Sequence, residues 1–479
     1  MSKKMHISWM IAWISWGVLL GIVLSVKTGS YFLSLSWLAF GASLLIMALI
    51  SRRKKLIVLA LLGGLLLGLF RGTSIYSQQA GYQEFIGQRV ELSGIVAEDT
   101  AFSADGDQRI KLKNVSLNGN ELPSVVWVST KSQLEIKRSD RVSAEGFLSE
   151  GFGNFPASIF KADIKRVIKV KNADPPRELR DNFAEKARKA VSEPEASLGI
   201  GFLTGQHTTL PEDLNNNLRL LGLTHIVVAS GYNLTILVRL MRRLLAGISK
   251  YLATFGAVGL ISGFVMVTGL SPSMSRAGLI SLLAITAWYF GRRIHPLVLL
   301  PFSAAITALV NPSFMWGDLG WYLSFAAFGG VMILSPLLLH YFWGKIKPNQ
   351  FHQIFLETVS AQIATLPIIA YAFGQYAPLA IVANLLILPL IPLTMIFTFF
   401  AGIGAAILPA LAGLFGFPAL ALLSYMTELV GRLANHPLAQ GNMTFQLKHL
   451  TAAYLLIIIL SVWLWRRTRH NFKQYSIIE

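Results

Sequence analysis

The chain has 479 residues, 53% of them apolar and 14% charged, with a formal charge of +18. A soluble protein of this composition would expose a largely apolar surface, so lipid is the expected solvent. There is no Cys, which excludes disulfides, Cys-ligated metal sites, iron–sulfur clusters and a thiol nucleophile.

The chain opens MSKKMHISWMIAWISWGVLLGIVLS, a basic leader joined to an apolar run. No small-residue cleavage site with a polar mature sequence follows, so Ile7 to Ser25 reads as a retained first span rather than a signal peptide. A helical crossing takes about 20 apolar residues. Further spans are expected near 32–50, 56–70, 220–241, 251–270, 275–291, 294–311, 317–340, 353–373, 377–399, 401–420 and 448–465. With that assignment Lys3 and Lys4, the run Arg52 to Lys55, Arg239, Arg242, Arg243 and Lys250, Arg292 and Arg293, Lys345 and Lys347, and Arg466, Arg467 and Arg469 share one side. The positive-inside rule makes that side, and both termini, cytoplasmic. The expected location is therefore the bacterial cytoplasmic membrane, crossed many times, with residues 72–190 outside the cytoplasm.

Residues 72–190 differ in character. They hold 18 Lys and Arg against 16 Asp and Glu, leaving 24 against 8 for the rest of the chain. The excess basic charge thus belongs to the membrane part and fits helix ends better than a nucleic-acid face. VELSGIVAED, QRIKLKNVSL, SVVWVST, DRVSAEGFLSE and SIFKADIKRVIKV read as five short strands separated by turn residues. The pattern suits a small β-barrel; an oligonucleotide-binding (OB) type is one solution, and another small β-domain fits equally. Tyr82, Phe85, Trp127, Phe147, Phe152, Phe155 and Phe160 are candidates for base stacking, but most are assigned to the barrel core. Residues 175–189 read as an amphipathic helix returning to the membrane.

The run 220–240, LLGLTHIVVASGYNLTILVRL, places Thr224, His225, Ser230, Asn233 and Thr235 in an apolar helix with Gly231 among them. Polar groups at that depth require partners, and a helix broken at Ser230 and Gly231 belongs where its backbone lines a cavity or packs on protein. A packing face with a hydrogen-bonded His is the plainer account. Arg276 opens the span after SPSMS, where snorkelling competes with a phosphate contact or an ion pair. Asp318, entering the next apolar helix on the same side, is a candidate partner for it. Ser324 follows in that helix. Glu357 and Gln362 share a span, and Asn384 lies among Pro378, Pro389 and Pro392. Glu428 and Arg432 are spaced to pair on a short surface helix at 421–434.

Enzyme chemistry has little to stand on. The chain contains no HExxH pair and no GxxxxGK[ST] phosphate loop, and its nine His show no zinc-ligand spacing. His225 and Ser230, five apart on a helix, diverge too far to act as nucleophile and base. No catalytic residue, metal site or cofactor is expected.

Four ordered blocks carry a resemblance. LTGQHTTLPEDLNNNLRLLGLTHIVVASGYNLTIL, PSMSRAGLISLLAI, NPSFMWGDLGWYLSFAAFGGV and AQIATLPIIAYAFGQYAPLAIVANLLILPLIPL, spread over 203–393, resemble the motifs of the ComEC/Rec2 competence family. GFGNFPASIFKADI resembles the end of that family's outer barrel. The resemblance implies three N-terminal helices (1–71), an extracytoplasmic OB-like domain (72–174), an amphipathic connector (175–198), a channel domain (199–466) and a cytoplasmic tail (467–479). It implies a channel passing single-stranded DNA during natural transformation. His225, Ser230, Gly231, Asn233, Arg276, Asp318, Ser324 and Asn384 would lie along its polar path, with Gly205, Gly222 and Gly320 also matching the motifs. Arg109, Lys111, Lys113 and Trp127 are candidate DNA contacts in the outer domain. Asn233 stands where many relatives have His. Fuller relatives carry a C-terminal metallo-β-lactamase-like domain, whose His-x-His-x-Asp-His cluster is missing here, so the chain resembles a short form. The expected partners are single-stranded DNA, membrane lipid, an outer DNA receptor, a separate nuclease, a cytoplasmic ATPase or helicase and, in one arrangement, a second copy. A transporter or flippase of another anionic or lipid-linked substrate fits the same polar spans.

Overall fold

Long apolar runs become helices because lipid offers no partner to a backbone amide or carbonyl. A computed structural model describes every residue except 1–4, 30, 103–105, 133, 171–172, 207–209, 228–230, 270, 293, 345, 347, 471 and 473–479. Three helices come first, α1 (Ile7–Ser25), α2 (Leu35–Ser51) and α3 (Ile57–Gln79), followed by eight strands: β1 (Arg89–Val96), β2 (Ala101–Phe102), β3 (Gln108–Leu117), β4 (Asn120–Leu122), β5 (Val126–Thr130), β6 (Arg141–Glu150), β7 (Ala157–Ile159) and β8 (Asp163–Ile168). Then come α4 (Pro175–Ala190), α5 (Glu195–Thr204), α6 (Glu212–Leu220), α7 (Thr224–Val227), α8 (Gly231–Ala246), α9 (Lys250–Thr268), α10 (Pro272–Tyr289) and α11 (Pro296–Val310). The chain ends with α12 (Leu319–Gly329), α13 (Ser335–Trp343), α14 (Gln350–Phe373), α15 (Ala380–Ile387), α16 (Ile391–Ile407), α17 (Ala412–Ala434) and α18 (Leu447–Thr468).

Among the described residues eight helical stretches are long and apolar enough to cross a bilayer, and α2 and α11 are shorter apolar helices. One stretch, Leu319–Trp343, joins α12 to α13 through the wider π turn Gly330–Leu334; another, Ala380–Ile407, joins α15 to α16. The architecture is a polytopic α-helical membrane protein with an extracytoplasmic, OB-like β-barrel.

The chain divides into two compact units, Met1–Pro175 with Leu297–Trp321, and Pro176–Pro296 with Tyr322–Glu479. In the first, α1 and α3 pack along a seam of small residues. A Cβ added at Gly17 or Gly21 would fall on the carbonyl oxygens of Leu61 and Leu65, and one at Gly64 or Gly68 on those of Ile14 and Val18. This reciprocal four-residue spacing lets two backbones meet closely in lipid, where packing rather than the hydrophobic effect joins helices.

In the barrel, β1, β3, β5, β7 and β6 form a ring, closed by the β1–β6 pairing and containing one parallel pair, β5–β7; β8 lies outside the ring on β6. The expected fifth strand is therefore two. Lys161 takes a left-handed conformation (φ 54) between β7 and β8, ending the first and re-aiming the chain. Alternation fills the interior with Val90, Leu92, Ile110, Leu112, Val128 and Val142, as a half-buried strand requires. Tyr82 closes the core, its hydroxyl donating to the Pro123 carbonyl at 3.0 Å. The assignment of most aromatics to this core is corrected: Phe147, Phe152 and Phe160 are exposed and Trp127 and Phe155 half-buried, because aliphatic side chains already fill so small an interior. Arg138 makes a two-pronged pair with Asp174, 2.6 and 2.9 Å, both nearly buried.

Membrane helices and barrel are tied within this unit. Gln79 Nε2 donates to Ser124 Oγ at 2.7 Å and Ser313 Oγ at 3.1 Å. Arg71 donates to the carbonyls of Leu309 (2.9 Å) and Val310 (3.2 Å), supplying a cation and donors to the end of α11.

In the second unit, α5 lies in a core with α4, α6, α15, α16 and α17 around Leu198, Ile200, Phe202, Leu218, Ile391 and Leu423. The expected amphipathic connector is α4. Its Phe183 ring occupies the space a Cβ on Gly402 would take, and its Ala190 carbonyl that of one on Gly416. A second cluster joins α8, α9 and α10 through Leu234, Val238, Ala257, Ile261 and Ile285. The separate surface helix expected at 421–434 is instead the end of the continuous 23-residue α17; Glu428 and Arg432 do pair, both exposed.

Candidate polar site in the membrane region

Arg276 sits near the start of α10, after Pro272 and the Ser271 cap, whose hydroxyl accepts from the Met274 amide at 3.3 Å. Its Nε donates to Ser324 Oγ on α12 at 2.7 Å, and Ser324 Oγ lies 3.3 Å from Ser273 Oγ. The guanidinium carbon lies 5.8 Å from the Phe325 ring centre and 5.3 Å from that of Phe328, within the range of cation–π attraction. On its other side is the start of α8: a Cβ on Gly231 would stand 2.9 Å from Arg276 Nη2 and 3.0 Å from Ala277 Cβ. Glycine is what allows that approach.

Two residues along α8, Asn233 is fully buried and donates from Nδ2 to the Phe202 carbonyl in the last turn of α5, at 3.0 Å. Carbonyls in that position lack an intrahelical partner. Gly231, Arg276 and Ser324 thus bring α8, α10 and α12 together around one guanidinium, while Asn233 separately ties α8 to α5. Among the described residues of its own unit, no carboxylate pairs with Arg276. A cation at membrane depth is costly without a counter-charge, and π faces, a serine hydroxyl and a planar fork suit it to a planar or tetrahedral oxyanion.

The remaining residues are placed elsewhere. His225 Nδ1 lies 2.9 Å from the Gly222 carbonyl, a contact local to its own turn. Ser230 lies outside the described residues, as do Lys3, Lys4, Arg293, Lys345 and Lys347. Asn384 is buried on α15, and its Oδ1 has no hydrogen-bond partner among the described residues. Glu357 accepts from Gln353 Nε2 at 3.2 Å. Arg276 and Asp318, read as candidate partners, are each engaged otherwise. Asp318 accepts from Asn154 Nδ2 and from the Trp321 amide, both at 2.8 Å, and so caps α12 and holds a barrel loop. Burial pushes its carboxyl above the usual range, against the opposing effect of the Trp321 amide.

In the barrel, Arg109 lies over Trp127 at 5.7 Å. Lys111 is paired with Glu98 at 2.7 Å, and Lys113 is exposed. The outward stripe on β3 is therefore partly neutralised. Ser273, Phe325 and Phe328 around Arg276, and the Phe202 carbonyl that Asn233 meets, are not singled out by the sequence reading. The signal existed for three of them, since Ser273 precedes Arg276 by one helical turn and the two Phe follow Ser324 on the same helix.

Fold and cluster define a multi-pass membrane protein with a cationic polar site between its helices. Residues 202–468 match the family model described as "Competence protein", more than half of the chain, and the chain belongs to that family. It is 26% identical over 202 residues to the ComE operon protein 3 of Bacillus subtilis (strain 168), covering 41% of this chain and 25% of that protein. It is also 26% identical over 270 residues to an uncharacterized protein of Aquifex aeolicus (strain VF5), 54% of this chain and 61% of the relative. The chain thus spans less than two thirds of either relative. No solved structure gives a significant match. Family and topology together make the chain a multi-pass membrane protein of the competence family.

Proposed function

We propose that the chain is a ComEC/Rec2-type component that passes single-stranded DNA across the cytoplasmic membrane during natural transformation. The observation that carries this reading is Arg276, held by Ser324 and two Phe rings against Gly231 in the region matched by the competence family. A polyanion moves along a path of sparse basic contacts and neutral donors, because a dense Lys/Arg lining would hold it. Ser273 and Ser324 supply neutral polar groups beside Arg276, and Asn384 a buried oxygen without a partner among the described residues. Both termini lie in the cytoplasm in this reading, and the chain performs no catalysis. A cytoplasmic ATPase or helicase supplies the pulling force, since no phosphate-binding loop motif occurs in the 479 residues. A separate nuclease, an outer DNA receptor and a second copy complete the machinery.

The test is internalisation of end-labelled DNA by competent cells carrying wild type, a deletion, or Asn233→Leu at matched membrane abundance. Loss of internal label with surface-bound DNA retained, in both mutants, supports the reading. Unchanged internal label in the deletion, with no second homologue present, sinks it. The cluster around Arg276 would equally receive another anion, and a lipid-linked or small anionic substrate is the reading to test in that event.

A further inference from the structure

Within the first unit, aromatic residues mark the level at which the membrane helices end on the barrel side. Tyr31 and Phe32, between α1 and α2, and Trp37 in the first turn of α2 pack with ring centres 5.1 to 5.9 Å apart. Trp316 donates from Nε1 to the Ile22 carbonyl near the end of α1, at 3.1 Å, and meets Tyr76 of α3 edge-on at 5.8 Å. Such belts of Trp and Tyr collect where headgroups meet acyl chains.

One barrel loop is fastened to this level. Asn154 is bonded to Asp318, and a Cβ on Gly317 would stand 2.8 Å from Gly153 Cα, with φ of 148 at Gly317 and 61 at Gly153. Only glycine accommodates both the space and the backbone. Gly153 and Asn154 lie between Phe152 and Phe155, so both rings leave the chain beside the anchor. Trp127 lies 5.5 and 5.4 Å from them and Phe160 is 6.2 Å from Phe152. Phe152 is 43% and Phe160 54% exposed. Contiguous exposed aromatics on a folded surface mark an interaction site.

We propose that this patch is a lipid-interface anchor, which seats the barrel on the outer leaflet with Phe152 and Phe160 at the headgroup–acyl boundary. Arg109 over Trp127 and exposed Lys161 beside Phe160 then meet headgroup phosphates. Base stacking is the rival occupant. It is less favoured because Phe152 meets Trp127 edge-on, at 73°, and Arg109 covers a face of that ring.

The chain has no native Cys, so nitroxides can be placed singly on the full-length protein in phospholipid nanodiscs. Labels at Phe152→Cys and Phe160→Cys are compared with Lys113→Cys, exposed on the barrel, and Leu20→Cys, exposed on α1. The ratio of oxygen to nickel-chelate collision rates rises with depth in lipid. The proposal expects ratios at both Phe sites several-fold above that at Lys113→Cys and below that at Leu20→Cys. Ratios equal to the Lys113→Cys value at both sites overturn it. If those aqueous labels are also immobilised by added oligo(dT), the patch is a nucleic-acid surface instead.

Discussion

Arg276 has a geometry that its charge alone does not provide. The Nε bond to Ser324 fixes the plane of the guanidinium and leaves Nη2 toward Gly231. Lys keeps the charge but neither the plane nor the fork. Arg276→Lys is therefore expected to preserve membrane abundance while reducing DNA internalisation, and Ser324→Ala to produce a milder loss; uptake of labelled DNA normalised to abundance reads both. Asn233 acts differently, because its amide satisfies a carbonyl. Asn233→Leu should cost about 1–3 kcal/mol, read as a lowered unfolding temperature in detergent. Asp318 gives a pH signature. Its raised carboxyl pKa means the folded state holds the proton more tightly than the unfolded chain. Its contribution to stability is most favourable below the ordinary carboxylate range and falls as pH rises through the raised value. Asp318→Asn should flatten this part of the pH dependence of unfolding, and an unchanged slope would contradict the assignment. Arg276, Asn233 and Ser324 stand out in the sequence because a polar residue in an apolar run needs a partner, whether a packing contact or a ligand. Arg276 and Asp318 are candidate partners in the sequence because both lie on one side of the expected topology, and in the structure each is engaged otherwise within its own unit.

The α1–α3 seam shows how much of an element's stability rests on missing atoms. A leucine at Gly64 would have to enter the Ile14 backbone, whereas Gly259 on α9 has open space around it. Gly64→Leu is expected to lower abundance and thermal stability sharply and Gly259→Leu to be tolerated; equal behaviour would dismiss the seam. In the barrel, Asp174→Ala leaves Arg138 buried without its two-pronged partner, and cost of roughly 3–5 kcal/mol follows for removing one member of such a pair. Differential unfolding of wild type and mutant would measure it. Element existence was readable from apolar periodicity, and α1 and α4 fall where the sequence placed them. The split between β7 and β8 was not, because it depends on a left-handed Lys161, a residue type with no turn signature. The burial of the barrel's aromatic residues is illegible for a related reason: a large apolar residue signals burial only when the interior has room for it, and here Val, Ile and Leu fill it.

For the whole molecule, the competence match covers 202–468, and a polar cluster inside that region carries the proposed function. The barrel contributes a position in sequence, an OB-like ring and an aromatic patch. The proposed function requires that single-stranded DNA cross a membrane through this chain. The most direct measurement is entry of 5′-labelled single-stranded DNA into proteoliposomes under an inside-positive potential, scored as label protected from external nuclease, for wild type and Arg276→Gln. Protected label is expected with wild type, less with Arg276→Gln, and none with a neutral-backbone oligomer of the same sequence. Label left wholly nuclease-accessible with correctly folded wild type, or equal entry of the neutral oligomer, would contradict it.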